Sequence, residues 1–156
     1  MAKPERAATG FYQRRCAMLE KILIPVDGSE RFDETLHYVE QIGERNQTEL
    51  VLLHVLSGDG EKAAGNRKSA HDHPLLSGLY DAFTRDDWRV MAKIAHGEPV
   101  AEITRLAVSL PAALIVMSTH GRSGLENIRA GSITEQVVRQ SPCPVFVLHT
   151  QVEDTS

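Results

Sequence analysis

Residues 21–27 read KILIPVD and residues 50–56 read LVLLHVL, and these two stretches decide the fold. Each is a continuous apolar run, too short for a free-standing helix, so both read as strands covered on two faces. Between them Phe32, Leu36, Val39 and Gly43 recur at spacings of four, three and four. That is the period of a helix with one face on a sheet; Ser29 is placed to cap it, and its end falls near Arg45. Strand, helix and strand make a β-α-β unit whose first strand ends in a polar loop at Val26 or Asp27.

The alternation continues toward the C-terminus. Residues 57–74 are rich in Gly, Ser, His and charge with no apolar period, and read as a long surface loop. Leu75, Leu76, Leu79, Tyr80 and Phe83 then fall at helical spacing and make a short helix, while residues 88–96, WRVMAKIAH, alternate like a strand near a sheet edge. Pro99 suits the first turn of a helix whose buried stripe is Val100, Ile103, Ala107 and Leu110, and Pro111 stops it. A strand follows at 113–117. Ser132 and Glu135 have the spacing of a capping box for a helix reaching about Gln140, and Pro142 and Pro144 break the chain before a last strand at 145–149. Five strands alternating with four helices specify a single α/β domain with an open parallel sheet, right-handed crossovers and helices on both faces.

One domain is also what 156 residues allow. Residues 1–18 carry Lys3, Arg6, Arg14 and Arg15 against Glu5 alone and read as a disordered basic extension; residues 19–150 are the domain and 151–156 a C-terminal tail. Hydrophobic residues at 42 % and charged residues at 24 % place the chain among ordinary soluble proteins. A net charge of −4 provides no basic field for a nucleic-acid backbone. The longest apolar run, residues 106–117, is far short of the ~20 residues of a membrane span, so no membrane partner is expected. Cys16 and Cys143 stand alone, without a CxxC or Cys/His cluster, which excludes a disulfide scaffold or zinc site and fits a cytoplasmic protein. His71-Asp72-His73 is a short cluster with no further ligand at metal-site spacing.

The stretch that carries chemistry is 118–132, STHGRSGLENIRAGS, between a buried strand and a capped helix. Gly121 and Gly131 let an anion approach the backbone closely, and Ser132 offers a hydroxyl at a helix start whose dipole favours negative charge. The stretch is neither a Walker loop nor a G-x-G-x-x-G fingerprint. Turn glycines beside a helix cap also occur in α/β loops that bind nothing, so phosphate site and plain turn both stand on these residues alone. Arg122 and Arg129 flank the loop, either to steer phosphate or to solvate it. His120 reads as a loop residue within reach of a phosphate, His54 as a satisfied core residue and Cys143 as buried filler.

With Pro25-Val26-Asp27 ending the first strand, L-L-H-V at residues 52–55 and S-x-C-P-V-x-V-x at residues 141–148, the chain resembles the universal stress protein family over residues 19–150. The family hallmark, G-x2-G-x9-G-(S/T), is met at Gly121, Gly131 and Ser132, with Ser118 standing where the first glycine is expected. The resemblance implies strand order 3-2-1-4-5, which makes strands one and four neighbours at the switch point where open α/β sheets bind ligands. Asp27 and Ser118 then face one crevice. It further implies that Asp27 and Val55 hold the adenosine of ATP while Gly121, Gly131 and Ser132 hold its phosphates, with Pro25, Met117, Ser118, His120 and Ile133 completing the site and Mg2+ or Mn2+ bound through the phosphates. The helix at 75–83 is shorter than the family usually carries there.

No nucleophile, base and orienting group can be assembled from these residues, so the expected role is regulatory binding of ATP or another adenine nucleotide in a stress response, not turnover. Two alternatives are a nucleotide-free stress-response dimer acting through an unknown protein partner, and a slow ATP-hydrolysing or phosphotransfer enzyme. The last strand is apolar, lacks an edge-guarding Lys and ends the sheet. Antiparallel pairing of Val145, Phe146, Val147 and Leu148 with a second copy is therefore expected to form a homodimer.

Overall fold

The computed structural model describes residues 19–27, 32–56, 70–120 and 133–150. Strand β1 is Lys21–Pro25, helix α1 Phe32–Ile42, strand β2 Glu49–Leu56, helix α2 Pro74–Arg85 and strand β3 Arg89–His96. Helix α3 is Pro99–Ser109, strand β4 Leu114–His120, helix α4 Ile133–Gln140 and strand β5 Val145–Thr150, with a 3-10 turn at Ala70–Asp72 before α2. The strands form one sheet in the order β3-β2-β1-β4-β5, and every neighbouring pair is parallel. The order implied by the family resemblance is thus the order observed.

Two cores cover the sheet. Ile22, Ile24, Val26, Leu50, Leu52, Val116 and Leu148 pack on one face against Val39 of α1 and Leu76, Leu79 and Phe83 of α2. Leu23, Val51, Leu53, Ile115 and Met117 pack on the other against Val100, Ile103, Leu106 and Ala107 of α3 and Val137 of α4. Consecutive residues of the central strands alternate between these cores, which is why the strands are apolar without a break.

Helix α1 ends at Ile42, short of Arg45. Gly43 lies beneath Trp88, and a Cβ there would come within 3.1 Å of two carbons of the indole ring. Helix α2 runs longer than expected. The imidazole of His73 accepts the Leu75 amide as N-cap and Pro74 takes the first turn, so the helix gathers 12 residues, and residues 70–74 are ordered turn and helix rather than loop. Strand β4 does not stop at Met117 but continues to His120, because β5 goes on pairing with it at Ser118↔Leu148, Thr119↔His149 and His120↔Thr150. Apolar character ends at Met117; backbone pairing does not. His120 therefore closes a strand instead of sitting in a loop. The basic extension, the tail and residues 57–69 lie outside the described residues.

Candidate functional site

The β1–β2 ladder runs through five pairs from Lys21↔Glu49 to Pro25↔Leu53, whereas β1 and β4 pair only at Ile22↔Leu114 and Leu23↔Ile115. Beyond Leu23 the two central strands part. A cavity of about 230 Å³ lies at their carboxyl ends, lined by Pro25, Val26 and Asp27 from β1 and its continuation and by Leu53, His54 and Val55 from β2. Met117 and Ser118 of β4, Pro99 and Ile103 of α3, and Ile133 and Thr134 of α4 complete the wall. This is the switch point of an open α/β sheet.

Hydrogen bonds explain why the crevice opens on the β4 side. The Val26 amide donates to the Leu53 carbonyl at 2.7 Å, and His54 Nδ1 lies 2.8 Å from the Val26 carbonyl. A carbonyl only accepts, so His54 carries its proton on Nδ1 and donates. Both polar groups of the Val26 peptide are thereby committed to β2. The His54 ring in turn lies against that of His73, the N-cap of α2, with centroids 4.9 Å apart.

At the other end of the crevice Ser118 has its Oγ buried, with no hydrogen-bond partner among the described residues. A buried hydroxyl left unpaired costs about 1–3 kcal/mol, and the Trp88 indole nitrogen in the core is left unpaired in the same way. Two helix starts border this rim, and they differ. The α3 start is occupied, because the carboxylate of its N-cap Glu98 accepts from the Val100 and Ala101 amides at 3.1 and 2.7 Å. Helix α4 places Ile133 and Thr134 on the cavity wall and brings the positive end of its dipole there.

Of the residues singled out in the sequence, Pro25, Asp27, Val55, Met117, Ser118 and Ile133 meet around this one cavity. His120 ends β4, and Gly121, Gly131 and Ser132 lie outside the described residues. Val26, Leu53, His54, Pro99, Ile103 and Thr134 were not anticipated. Their signal was present: each lies within a few residues of a strand's carboxyl end or in the first two turns of a following helix, and both kinds of position face the same edge of a parallel sheet. His54 is half-buried and hydrogen-bonded, as a satisfied core histidine should be, yet it also forms cavity wall. Among the described residues no group of three His, Cys, Asp or Glu is arranged to hold a metal ion, and no helix is long and apolar enough to cross a membrane.

Strand β5 is a sheet edge. Phe146 is exposed with its ring 5.9 Å from that of Tyr38 on α1, Val145 and Val147 are half-buried, and Leu148 is packed into the core, leaving only its backbone for any pairing along the edge.

A five-stranded parallel sheet in this order, with a crevice where β1 and β4 part, defines an α/β domain of the open, doubly wound class. The profile of the universal stress protein family matches residues 18–149, and the chain belongs to that family. A putative universal stress protein of Staphylococcus epidermidis is 30 % identical over 141 residues, covering 85 % of each chain. The solved structure of the hypothetical protein MJ0577 superposes with a TM-score of 0.71 at 27 % identity, covering 87 % of this chain and 99 % of that one. Two more distant structures share the fold. One is a universal stress protein in complex with cAMP, with a TM-score of 0.66 at 20 % identity, covering 85 % of this chain and 98 % of that one. The other, from Arabidopsis thaliana with AMP bound, has a TM-score of 0.61 at 17 % identity, covering 87 % of this chain and 95 % of that one.

Proposed function

We infer that this protein binds an adenine nucleotide in the crevice between β1 and β4 and acts as a regulatory binding protein in a stress response. The observation that carries this reading is the convergence of Pro25, Asp27, Val55, Met117, Ser118 and Ile133, from four separate elements, on one cavity at the switch point. The cavity is mostly apolar with few polar groups, as a slot for a flat base and a sugar should be. Asp27, on its wall, supplies a carboxylate for ribose hydroxyls. The relatives with cAMP and AMP support the same class of ligand. ATP is the form the sequence resemblance favours; its triphosphate would pass toward Gly121, Gly131 and Ser132, and a divalent cation would be held mainly by the phosphates themselves.

The edge position of β5 supports a homodimer formed by antiparallel pairing along residues 145–148, with Phe146 and Tyr38 beside the seam. The isolated cysteines fit a reducing, cytoplasmic setting.

The decisive experiment is mass spectrometry of small molecules released on denaturing the purified protein, followed by calorimetric titration with ATP, ADP and AMP, each with and without Mg2+. Retained or titratable adenine nucleotide is the expected result. A protein that carries none and binds none would refute the reading and favour a nucleotide-free dimer. Turnover lost in Asp27→Ala would make the protein an enzyme.

A further inference from the structure

We propose that His73, stacked on His54, is a proton-sensitive latch: it holds the first turn of α2 closed while its ring is neutral and releases that turn when the ring takes a proton. The hydrogen bonds fix opposite tautomers on the two rings. His73 Nδ1 accepts the Leu75 amide at 3.3 Å, so it carries no proton, and the proton of the neutral ring sits on Nε2. His54 donates from Nδ1 to the Val26 carbonyl at 2.8 Å, a bond that its neutral and charged forms both make. Protonation therefore leaves the His54 bond in place and destroys the His73 one, because a ring with N–H at both positions has no lone pair for the Leu75 amide.

The surroundings oppose a positive charge on His73. It stands at the amino end of α2, where the dipole disfavours a cation, and its ring centroid is 4.9 Å from that of His54, so a second proton on the pair meets the first. Helix α2 and the 3-10 turn before it pack on β2 and β3. On those strands His54 and, two residues beyond its pairing partner Ile94, His96 share the α1/α2 face, whereas Lys93 alternates with Met91 and Ala95 toward the other core. Tyr80 and Asp81 lie about two turns further along α2. The carboxylates at this end of the sheet are Asp72 of the turn and Asp27 after β1, both exposed, where water and salt leave an ion pair little strength. Release is limited by Leu76, which is fully buried and clamps the next turn, so the part that opens is residues 70–75.

Two NMR measurements on the whole chain test the latch. Proton–nitrogen correlation of the imidazoles at about pH 7.5 should show His73 as the Nε2–H tautomer and His54 as the Nδ1–H tautomer. Amide hydrogen exchange, corrected for its chemical rate, then reads the opening. A ring that gains its proton at about pH 6.5 only when the turn is open contributes stability above that pH and loses it below, so opening should be about tenfold more frequent at about pH 5.5 than at about pH 7.5. The Leu75 amide should lose protection by that factor, while residues 79–85 in the body of α2 keep theirs. His73→Asn, which caps without titrating, should hold the turn at both pH values. A His73 ring that is charged or in the Nδ1–H form at about pH 7.5 overturns the latch, as does equal loss in wild type and His73→Asn, or loss spread evenly over α2. If His73→Asn folds poorly, the tautomers and the contrast between Leu75 and residues 79–85 decide on the wild-type chain alone.

Discussion

Replacing Leu53 by alanine should cost this protein less than the same change at its neighbour Leu52. The two residues are consecutive on β2 and equally sealed from solvent, Leu52 at 0 % and Leu53 at 1 % exposure. They face opposite cores: Leu52 is enclosed against α1 and α2, whereas Leu53 also backs onto the crevice. Each substitution removes three buried carbons, worth about 2.4 kcal/mol at ~0.8 kcal/mol per methylene. A sealed site adds a cavity term that carries Leu→Ala changes toward about 4 kcal/mol or more. At Leu53 the void joins a space of about 230 Å³ that already exists, so most of that added term disappears. We expect about 4 kcal/mol for Leu52→Ala and about 2.5 kcal/mol for Leu53→Ala. Urea unfolding followed by circular dichroism reads the difference: about 1.5 kcal/mol separates the midpoints by roughly 0.5–1.5 M at ordinary slopes of about 1–3 kcal/mol/M. Equal losses, or a larger loss at Leu53, would mean that Leu53 faces a closed core and that the crevice does not reach β2.

Val147→Lys should convert a dimer into a monomer in light scattering, whereas Val108→Lys on the 65 % exposed flank of α3 should leave the assembly unchanged; a dimeric Val147→Lys protein would place the interface elsewhere. His73→Ala should destabilise the fold by about 0.5–2 kcal/mol through loss of the α2 cap, and His73→Asn, which retains a capping acceptor, should recover most of it; identical chemical-denaturation curves for the two variants would refute the capping role. The Glu102 carboxyl is held below its usual range by its hydrogen bond from Arg105, against a smaller opposing effect of burial. A depressed carboxyl contributes stability that is present above its unfolded pKa and lost as pH falls through its folded one, so acidification below the ordinary carboxylate range should erase a small stabilisation that Glu102→Gln lacks throughout. Coincident pH–stability profiles for wild type and Glu102→Gln would show that the pair contributes nothing.

Strand identity was legible because central strands of a parallel sheet are apolar on both faces, and KILIPVD and LVLLHVL have no other stable use. The crevice was legible from Asp27 and Ser118 only once β1 and β4 were made neighbours, which followed from the family pattern and not from periodicity. What the sequence hid was set by backbone pairing and caps. His120 looked like loop because hydrophobicity ends at Met117, yet β5 extends the ladder three residues further. Helix α2 looked short because its first capping group is a histidine, whose imidazole can accept an amide but is an uncommon signal for a helix start. Pro99, Ile103 and Thr134 lie in the first turns of helices that follow strands, which places them at the right edge of the sheet, but which of them meet the cavity is decided by how those helices stack on the sheet.

The short ladder between β1 and β4 divides the sheet mechanically into a three-stranded leaf, β3-β2-β1, and a two-stranded leaf, β4-β5. Asp27 and Val55 belong to the first leaf and Ser118 to the second, so a molecule seated in the crevice bolts the leaves together across their weakest suture. The exposed edge at Phe146 rides on the second leaf, and its ring touches Tyr38, which stands on α1 directly after the first. The Tyr38–Phe146 contact therefore spans the two leaves away from the crevice that separates them.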